Sequence, residues 1–353
     1  MLVYSMLEDV KEFLIDSGIA KFRIKQLDNA VFKEYVSSFE DITVFPKELR
    51  SQLSEKFTLT TMTMVESHKS ANTVKFVLKT KDSQFVEAVL MIHNDGRRTV
   101  CVSSQVFCAV GCTFCATGAN SFKRSLTTDE ILEQVLFVCR YLKHKDEKVT
   151  NVVFMGMGEP FLAYNSVEPA VKILNDENYF GIGARHITVS TSGIVPRIYQ
   201  YADIGIQARL AISLHAANDK LRSELMPIND RYPLSELMKA CDYYSEKLNK
   251  RVSYEYVLIK DVNDSITHAK ELVELLKNRK AHVNLLIYNP HEFAKYEKPV
   301  KHKVLSFRDY LAENGIEVSV RKSMGDDISG ACGQLSGKII KKGNQLDEVM
   351  IET

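Results

Sequence analysis

The chain has 353 residues, with 46 Lys and Arg against 45 Asp and Glu, and 45% of its residues are hydrophobic. This composition is typical of a folded globular protein and excludes the disordered, collagen-like and coiled-coil classes. No apolar run approaches the roughly 18–20 residues of a membrane span, and the first residues lack the pattern of a signal peptide. We therefore expect a cytoplasmic protein with no membrane partner. We also expect it to be a monomer.

The first 97 residues are expected to form two small units. In residues 1–57, apolar residues recur at helical spacing and predict a helical module. In residues 58–97, Thr-rich and Val-rich runs separated by polar turns predict an antiparallel β extension. The predicted helices span 5–16, 24–36 and 46–57, and the predicted strands span 58–66, 73–79 and 84–92.

From residue 98 onward, short apolar strands alternate with helical patterns. The clearest helix is 129–143, because Thr127 and Glu130 form a capping box at its start. Six strand–helix repeats indicate an α/β domain at 98–322, with a parallel sheet that is open or rolled into a partial barrel. Ligands of such folds bind at the carboxyl ends of the strands. The predicted strands are 99–103, 151–155, 186–190, 208–214, 252–259, 282–288 and 316–321.

Three closely spaced cysteines follow the first strand of this domain. Cys108, Cys112 and Cys115 can ligate three irons of a four-iron cubane and leave the fourth iron open. An open iron can bind a small molecule through its amino and carboxylate groups. The alternative is a zinc site with Cys101 as the fourth ligand, which would make the chain a zinc-stabilised RNA-binding protein without catalysis.

The pattern Cys-x-x-x-Cys-x-Phe-Cys at 108–115 is similar to that of the radical S-adenosylmethionine (SAM) enzymes. Seven further motifs narrow the resemblance, and over nearly its whole length the chain resembles the RlmN/Cfr family of RNA adenine methyltransferases. The motifs are Cys-Val-Ser-Ser-Gln at 101–105, Met-Gly-Met-Gly-Glu-Pro at 155–160, Ser-Thr-Ser-Gly at 190–193, Ser-Leu-His at 213–215, Met-Pro-Ile-Asn at 226–229, Tyr-Asn-Pro at 288–290, and Gly-Asp-Asp with Ala-Cys-Gly-Gln-Leu within 325–335.

The resemblance implies a partial (βα)6 TIM-like barrel and two cofactors. A 4Fe-4S cluster would be held by Cys108, Cys112 and Cys115, and two SAM molecules would be consumed in each turnover. Glycines let a ligand approach the backbone closely, and a carboxylate can hydrogen-bond an ammonium group. By family pattern, the residues that contact SAM are Gly158, Glu159, Ser190, Ser213, Leu214, His215 and Asn289.

Cys332 lies in a glycine-rich segment within 323–353, far in sequence from the other cysteines. A flexible segment is a poor place for a core residue, which favours a functional thiol. By resemblance, one SAM would methylate Cys332, and a radical step would then pass the methyl group to the RNA. Cys101 would release the product through a transient disulfide. Glu87 would remove the ring proton, although as sequence it is an outward-facing glutamate on a strand.

The implied substrate is an adenosine of 23S ribosomal RNA, with tRNA as a further substrate left open. The family contains both C2 and C8 adenine methyltransferases, and we favour C2 because 159–160, 190–193 and 325–327 resemble the C2 enzymes. The helical module would handle RNA, and a reducing partner such as flavodoxin or ferredoxin would supply electrons. One departure stands out, because Phe107 occupies a position at which the family usually has glycine.

Overall fold

The computed structural model describes residues 5–337, so the last part of the predicted C-terminal segment, 338–353, lies outside the described residues. The N-terminal module consists of α1 (Ser5–Asp16), α2 (Phe22–Phe32) and α3 (Lys47–Lys56). The second helix ends earlier than the sequence predicts. Tyr35 has a positive φ of 58°, in the left-handed region that a helix cannot include.

The antiparallel extension is confirmed and has four strands, β1 (Met62–Lys69), β2 (Thr73–Thr80), β3 (Phe85–Ile92) and β4 (Arg98–Cys101). The first three pair in succession as antiparallel neighbours, and β3 pairs antiparallel with β4. The fourth strand also begins the parallel part, because Thr99 pairs with Asn151 in parallel register. The extension and the α/β domain therefore share one continuous sheet.

The remaining elements alternate as the sequence predicts, and the expected α/β fold with a central parallel sheet is confirmed. A two-stranded antiparallel hairpin, β5 (Gln105–Val106) with β6 (Arg124–Ser125), encloses the loop that carries the clustered cysteines. The other elements are α4 (Thr128–Lys143), β7 (Asn151–Phe154), α5 (Tyr164–Asn175), β8 (Ile187–Thr191), α6 (Val195–Asp203), β9 (Arg209–Ser213), α7 (Asp219–Leu225), α8 (Leu234–Leu248), β10 (Val252–Leu258), α9 (Ile266–Leu276), β11 (Ala281–Ile287), α10 (Lys301–Glu313) and β12 (Glu317–Arg321).

Local signals account for several of these boundaries. The predicted capping box begins α4, because the Thr127 hydroxyl accepts from the Glu130 amide at 3.1 Å and the Glu130 carboxylate accepts from the Thr127 amide at 2.9 Å. The parallel strands are short and apolar because helices cover the sheet. Among the described residues, no helix is both long enough and apolar enough to cross a membrane.

The ten-stranded sheet runs in the order β1-β2-β3-β4-β7-β8-β9-β10-β11-β12, with β1 and β12 at its edges. The chain that follows β12 returns to the other end of the sheet. The Lys75 ammonium on β2 donates to the Ser329 carbonyl at 3.3 Å, and the Ser336 amide donates to the Glu87 carboxylate on β3 at 3.0 Å. Residues 325–337, hereafter the Cys332 segment, thus bridge the open side of a partial barrel.

Candidate active site

The clustered cysteines lie on a tight loop, residues 107–118, which we call the cysteine loop. It begins at Phe107 with a positive φ of 61° and turns again at Gly111 with a φ of 72°. Inside the loop the Cys115 amide donates to the Cys112 carbonyl at 3.2 Å. The loop is held from outside as well, since the Thr113 amide donates to Leu225 at 3.0 Å. Its backbone is therefore ordered by both internal and external hydrogen bonds.

The three thiols of this loop act on one another electrostatically. Burial raises the pKa of Cys108 to about 12, and the neighbouring Cys115 adds to the shift. Burial raises the pKa of Cys112 further, and both other thiols contribute to it. A cationic metal centre would reverse this penalty, because thiolates are the form that ligates metal. The chemistry of this donor set therefore fits an iron–sulfur cluster.

The zinc alternative requires Cys101 beside the same three thiols. Among residues 5–337, no three His, Cys, Asp or Glu side chains come close enough together to ligate a single metal ion. A cubane carries its cysteine ligands on separate irons, so its thiols stand further apart than the ligands of one zinc ion. The Cys101 thiol interacts instead with Cys332. The four-cysteine zinc set is therefore not assembled in the described residues.

Two glycines bring the end of β7 against Val102 and Gln105, in the stretch between β4 and the cysteine loop. Gly158 has a φ of 97°, and a Cβ atom there would lie 2.4 Å from the Gln105 Cβ. A Cβ atom on Gly156 would lie 2.7 Å from the Val102 carbonyl oxygen. No residue with a side chain fits either place without moving its neighbour. The glycines predicted from sequence are thus required by close backbone approach.

Glu159 is buried at the centre of the strand ends. Its carboxylate accepts from the Phe161 amide at 2.9 Å and from the Ser192 amide at 2.7 Å, which joins the loop after β7 to the loop after β8. Burial raises the pKa of Glu159, while the amide hydrogen bonds oppose the rise. A carboxylate oxygen can accept more than one hydrogen bond, so this group can still receive a ligand ammonium.

The predicted serines come together at the ends of two adjacent strands. The Ser190 and Ser213 hydroxyl oxygens are 3.4 Å apart. The Asn289 side-chain oxygen after β11 is buried without a hydrogen-bond partner among the described residues. Buried polar atoms are normally paired, so this oxygen is free for a polar ligand. This side of the site fits a molecule with hydroxyl, carboxylate and amino groups.

His215 and its neighbour Leu214 are buried on the turn after β9. The His215 Nδ1 atom accepts from the Val257 amide at 3.0 Å, so this nitrogen carries no proton. Burial, helped by the cationic Arg222, lowers the pKa of His215 to about 3. Its ring edge packs on Phe114 of the cysteine loop, with centroids 4.8 Å apart. His215 is therefore neutral near neutral pH, and its ring supports the cysteine loop.

The sequence interpretation missed Arg222 on α7. Its fully buried guanidinium donates to Asn229 at 2.8 Å, to the Ser192 carbonyl at 2.6 Å, and to the carbonyls of Leu214 and Ser213 at 3.2 Å. Burial lowers the pKa of Arg222 to about 10, and Cys112 opposes that shift. Arginines are mostly exposed, so the sequence around Arg222 did not indicate a buried guanidinium. Arg222 therefore holds together the chain at the ends of β8 and β9.

A second missed residue is Glu255, in the middle of β10. It stands in register with Ser213 on β9 and Asn284 on β11, and Asn284 is in register with Ser319 on β12. Asn284 donates to one Glu255 oxygen at 2.7 Å, and the other oxygen is buried without a partner in the described part of the chain. Burial raises the pKa of Glu255. The available signal was a single charge inside an apolar strand, which usually marks a function.

Cys332 acts electrostatically on Cys101, although 231 positions separate them in sequence. Cys332 is the second-largest influence on the pKa of Cys101, after burial, and together they raise it to about 12. Cys332 also interacts with Cys115 of the cysteine loop and with Glu255. Its side chain is exposed. The other two cysteines, Cys139 and Cys241, are buried in the core.

The strand pattern alone indicates that Glu87 faces outward, but its side chain is buried in the structure. Its side chain is 1% exposed and pairs with the equally buried Lys75 at 3.3 Å. The pattern is misleading because the Cys332 segment covers this face of the extension. Burial raises the pKa of Glu87, and Lys75 opposes the rise most strongly. The arrangement holds a buried carboxylate against Ser336 of the Cys332 segment.

Comparisons with known proteins agree with this geometry. Residues 102–276 match the family model of the radical SAM superfamily, and residues 3–59 match the ribosomal RNA large subunit methyltransferase N-terminal domain. The chain is 44% identical over 338 residues to the probable dual-specificity RNA methyltransferase RlmN of Staphylococcus carnosus, covering 95% of this chain and 93% of the relative. For the same enzyme of Staphylococcus saprophyticus the identity is 45%, with the same coverage.

A crystal structure of a radical SAM methyltransferase from Sphaerobacter thermophilus matches with a TM-score of 0.91 and 43% identity. The match covers 94% of this chain and 98% of that chain. Both the sequence relatives and this structure extend over nearly the whole molecule. The similarity therefore includes the N-terminal helices, the antiparallel extension and the barrel together.

Proposed function

The chain belongs to the RlmN-type radical SAM RNA methyltransferases, and we propose that it methylates C2 of an adenosine in 23S ribosomal RNA. The observation that supports a methyl-carrying Cys332 is that its neighbour Gly333 is hydrogen-bonded to Ala116 of the cysteine loop, while Cys332 acts electrostatically on Cys101. A methyl carrier has to reach both a methyl donor and a resolving thiol, and this position offers both. The printed names of the relatives, dual-specificity RNA methyltransferases, support tRNA as a second substrate.

The cofactors follow from the family, and their ligands are part of the proposal. Cys108, Cys112 and Cys115 would hold a 4Fe-4S cluster, and Gly158 with Glu159 would hold the amino acid portion of SAM. The contacts with the rest of SAM would come from Ser190, Ser213, Leu214, His215 and Asn289. Bound there, the cluster and SAM supply one-electron chemistry, which the weakly nucleophilic C2 carbon of adenine requires.

The remaining residues would handle the methyl group and the proton. Cys332 would carry the methyl group on its sulfur and present it to the base. Cys101 would attack that sulfur to release the product, leaving a disulfide that a reductant opens. Glu87 would accept the ring proton, and Lys75 would keep its carboxylate ionised beforehand, as a general base must be.

The substrate must be unstacked to reach this site. Cys101 is buried and the three thiols of the cysteine loop are half-buried, so the target base has to leave its helix before it meets them. The N-terminal helices are the proposed RNA-handling module. A small reducing protein such as flavodoxin or ferredoxin is the proposed electron donor, because the disulfide and the cluster both require electrons.

The test uses anaerobically reconstituted protein with SAM, a reductant, and ribosomal RNA and tRNA from cells that lack the natural enzyme. Mass spectrometry of the nucleosides separates 2-methyladenosine from 8-methyladenosine. We expect 2-methyladenosine from the parent and none from Cys332→Ala, with Cys241→Ala as the matched control because Cys241 lies in the core. Formation of 8-methyladenosine would move the chain to the C8 branch. The absence of both products would refute the proposal.

A further inference from the structure

Lys75 is a buried lysine that the proposed chemistry uses only indirectly. It lies on β2, two residues before Val77, which pairs with Glu87 on β3. Its side chain is 2% exposed, and its ammonium is 3.3 Å from the Glu87 carboxylate. A buried charge is costly unless it is paired and hydrogen-bonded, so a lysine retained here calls for an explanation.

The ion pair holds the Cys332 segment at two points. On one side of Cys332, the Lys75 ammonium donates to the Ser329 carbonyl at 3.3 Å. On the other side, the Ser336 amide donates to the Glu87 carboxylate at 3.0 Å. The two anchors lie three residues before and four residues after the thiol. The positions of both ends of this short stretch are therefore set by one buried pair of charges.

Neutral hydrogen bonds join the same stretch to the rest of the site. The Ala116 amide donates to the Gly333 carbonyl at 2.8 Å, and the Thr117 hydroxyl donates to the Leu335 carbonyl at 2.7 Å. These contacts all lead to the cysteine loop. The Cys332 segment contains four glycines, which makes its unanchored state rich in conformations. Holding one conformation of such a segment requires strong contacts, and hydrogen bonds to charged groups are stronger than neutral ones.

We propose that Lys75 is a positioning residue, which with Glu87 anchors the Cys332 segment so that the thiol faces Cys101 and the cysteine loop. The inference rests on the proposed function for its catalytic consequence, but the anchoring itself does not depend on the substrate. Lys75 acts through its neighbours, since it orients the Glu87 carboxylate and holds the Ser329 carbonyl. Arginine can replace its charge, whereas an apolar side chain of similar length cannot.

The test compares Lys75→Met, Lys75→Arg and the matched control Lys79→Met, a half-buried lysine of the same strand. Hydrogen–deuterium exchange of the full chain follows the amides of 329–336. RNA methylation is followed in parallel, together with methylation of Cys332 by the mass of the intact protein. We expect Lys75→Met to raise exchange in this stretch at least tenfold and to lower RNA methylation at least tenfold. Lys75→Arg should recover most of both, and Lys79→Met should change neither.

A second variant covers the case in which Lys75→Met leaves the Glu87 charge buried and unfolds the chain. Lys75→Met combined with Glu87→Gln removes both charges, and such replacements are usually tolerated. Its 329–336 amides should still exchange at least tenfold faster than those of the parent. Exchange within twofold of the parent in the folded variants would overturn the inference, whatever the RNA results. Parent protein that methylates no RNA would refute the proposed function but leave the exchange test intact.

Discussion

Substituting Gly158 with alanine should damage the site more than the loss of a glycine alone would explain. The new Cβ would lie 2.4 Å from the Gln105 Cβ, and ordinary contacts begin near 3.4 Å, so the two segments must separate by about 1 Å. A positive φ costs an alanine about 1–2 kcal/mol, and overpacking adds about 1–3 kcal/mol. We therefore expect Gly158→Ala to lower the free energy of unfolding by about 2–5 kcal/mol.

Gly205 is the matched control, because its φ is 75° and nothing lies within 4 Å of the place its Cβ would take. Gly205→Ala should lose only the conformational part, about 1–2 kcal/mol. Urea denaturation measures both losses. Displacement by about 1 Å at a reacting site can cost about a hundredfold in rate, so RNA methylation should fall by that order in Gly158→Ala alone. Equal effects of the two variants would refute the packing argument.

Three further predictions follow from buried or strained groups. Arg222→Met should lower the free energy of unfolding by about 3–5 kcal/mol in urea, because several buried acceptors lose their donor; a loss below about 1 kcal/mol would contradict this. Phe107→Gly should be more stable than Phe107→Ala by about 1 kcal/mol in the same assay, since both lose the ring and only alanine keeps a Cβ at a φ of 61°. His215 should stay neutral in an NMR titration from pH 8 to pH 5, and a midpoint in that range would contradict its burial. Its folded pKa lies below its unfolded value, so its contribution to stability is complete above about pH 6.5 and is lost as the pH falls toward 3.

The α/β fold could be predicted from sequence because each part carries a local signal. The short apolar strands and the capping box of α4 can each be recognised from a few consecutive residues. The turns of the extension are likewise marked by polar residues. The end of α2 at Phe32 was not predicted, because it depends on the left-handed backbone of one residue, Tyr35. The hairpin of β5 with β6 was not predicted either, because strands of two residues are too short to show an alternating pattern.

The site was less readable, because it is assembled from distant parts of the chain. The electrostatic interaction of Cys101 with Cys332 could be expected only by resemblance, since no local pattern joins the two residues. The strand pattern predicts an exposed Glu87, but the Cys332 segment covers it. That segment is far from Glu87 in sequence, so no local pattern reveals the burial. Arg222 and Glu255 carry charges inside apolar surroundings, and their roles depend on neighbouring strand ends.

The pathway of the methyl carbon tests the central claim most directly. Protein whose Cys332 already carries an unlabelled methyl group is mixed anaerobically with RNA, a reductant and SAM labelled with carbon-13 in its methyl group, for a single turnover. Mass spectrometry of the methylated adenosine then reports the source of the carbon. We predict that the first product carries the unlabelled carbon from Cys332. A first product that carries the label would show direct transfer from SAM and contradict the account.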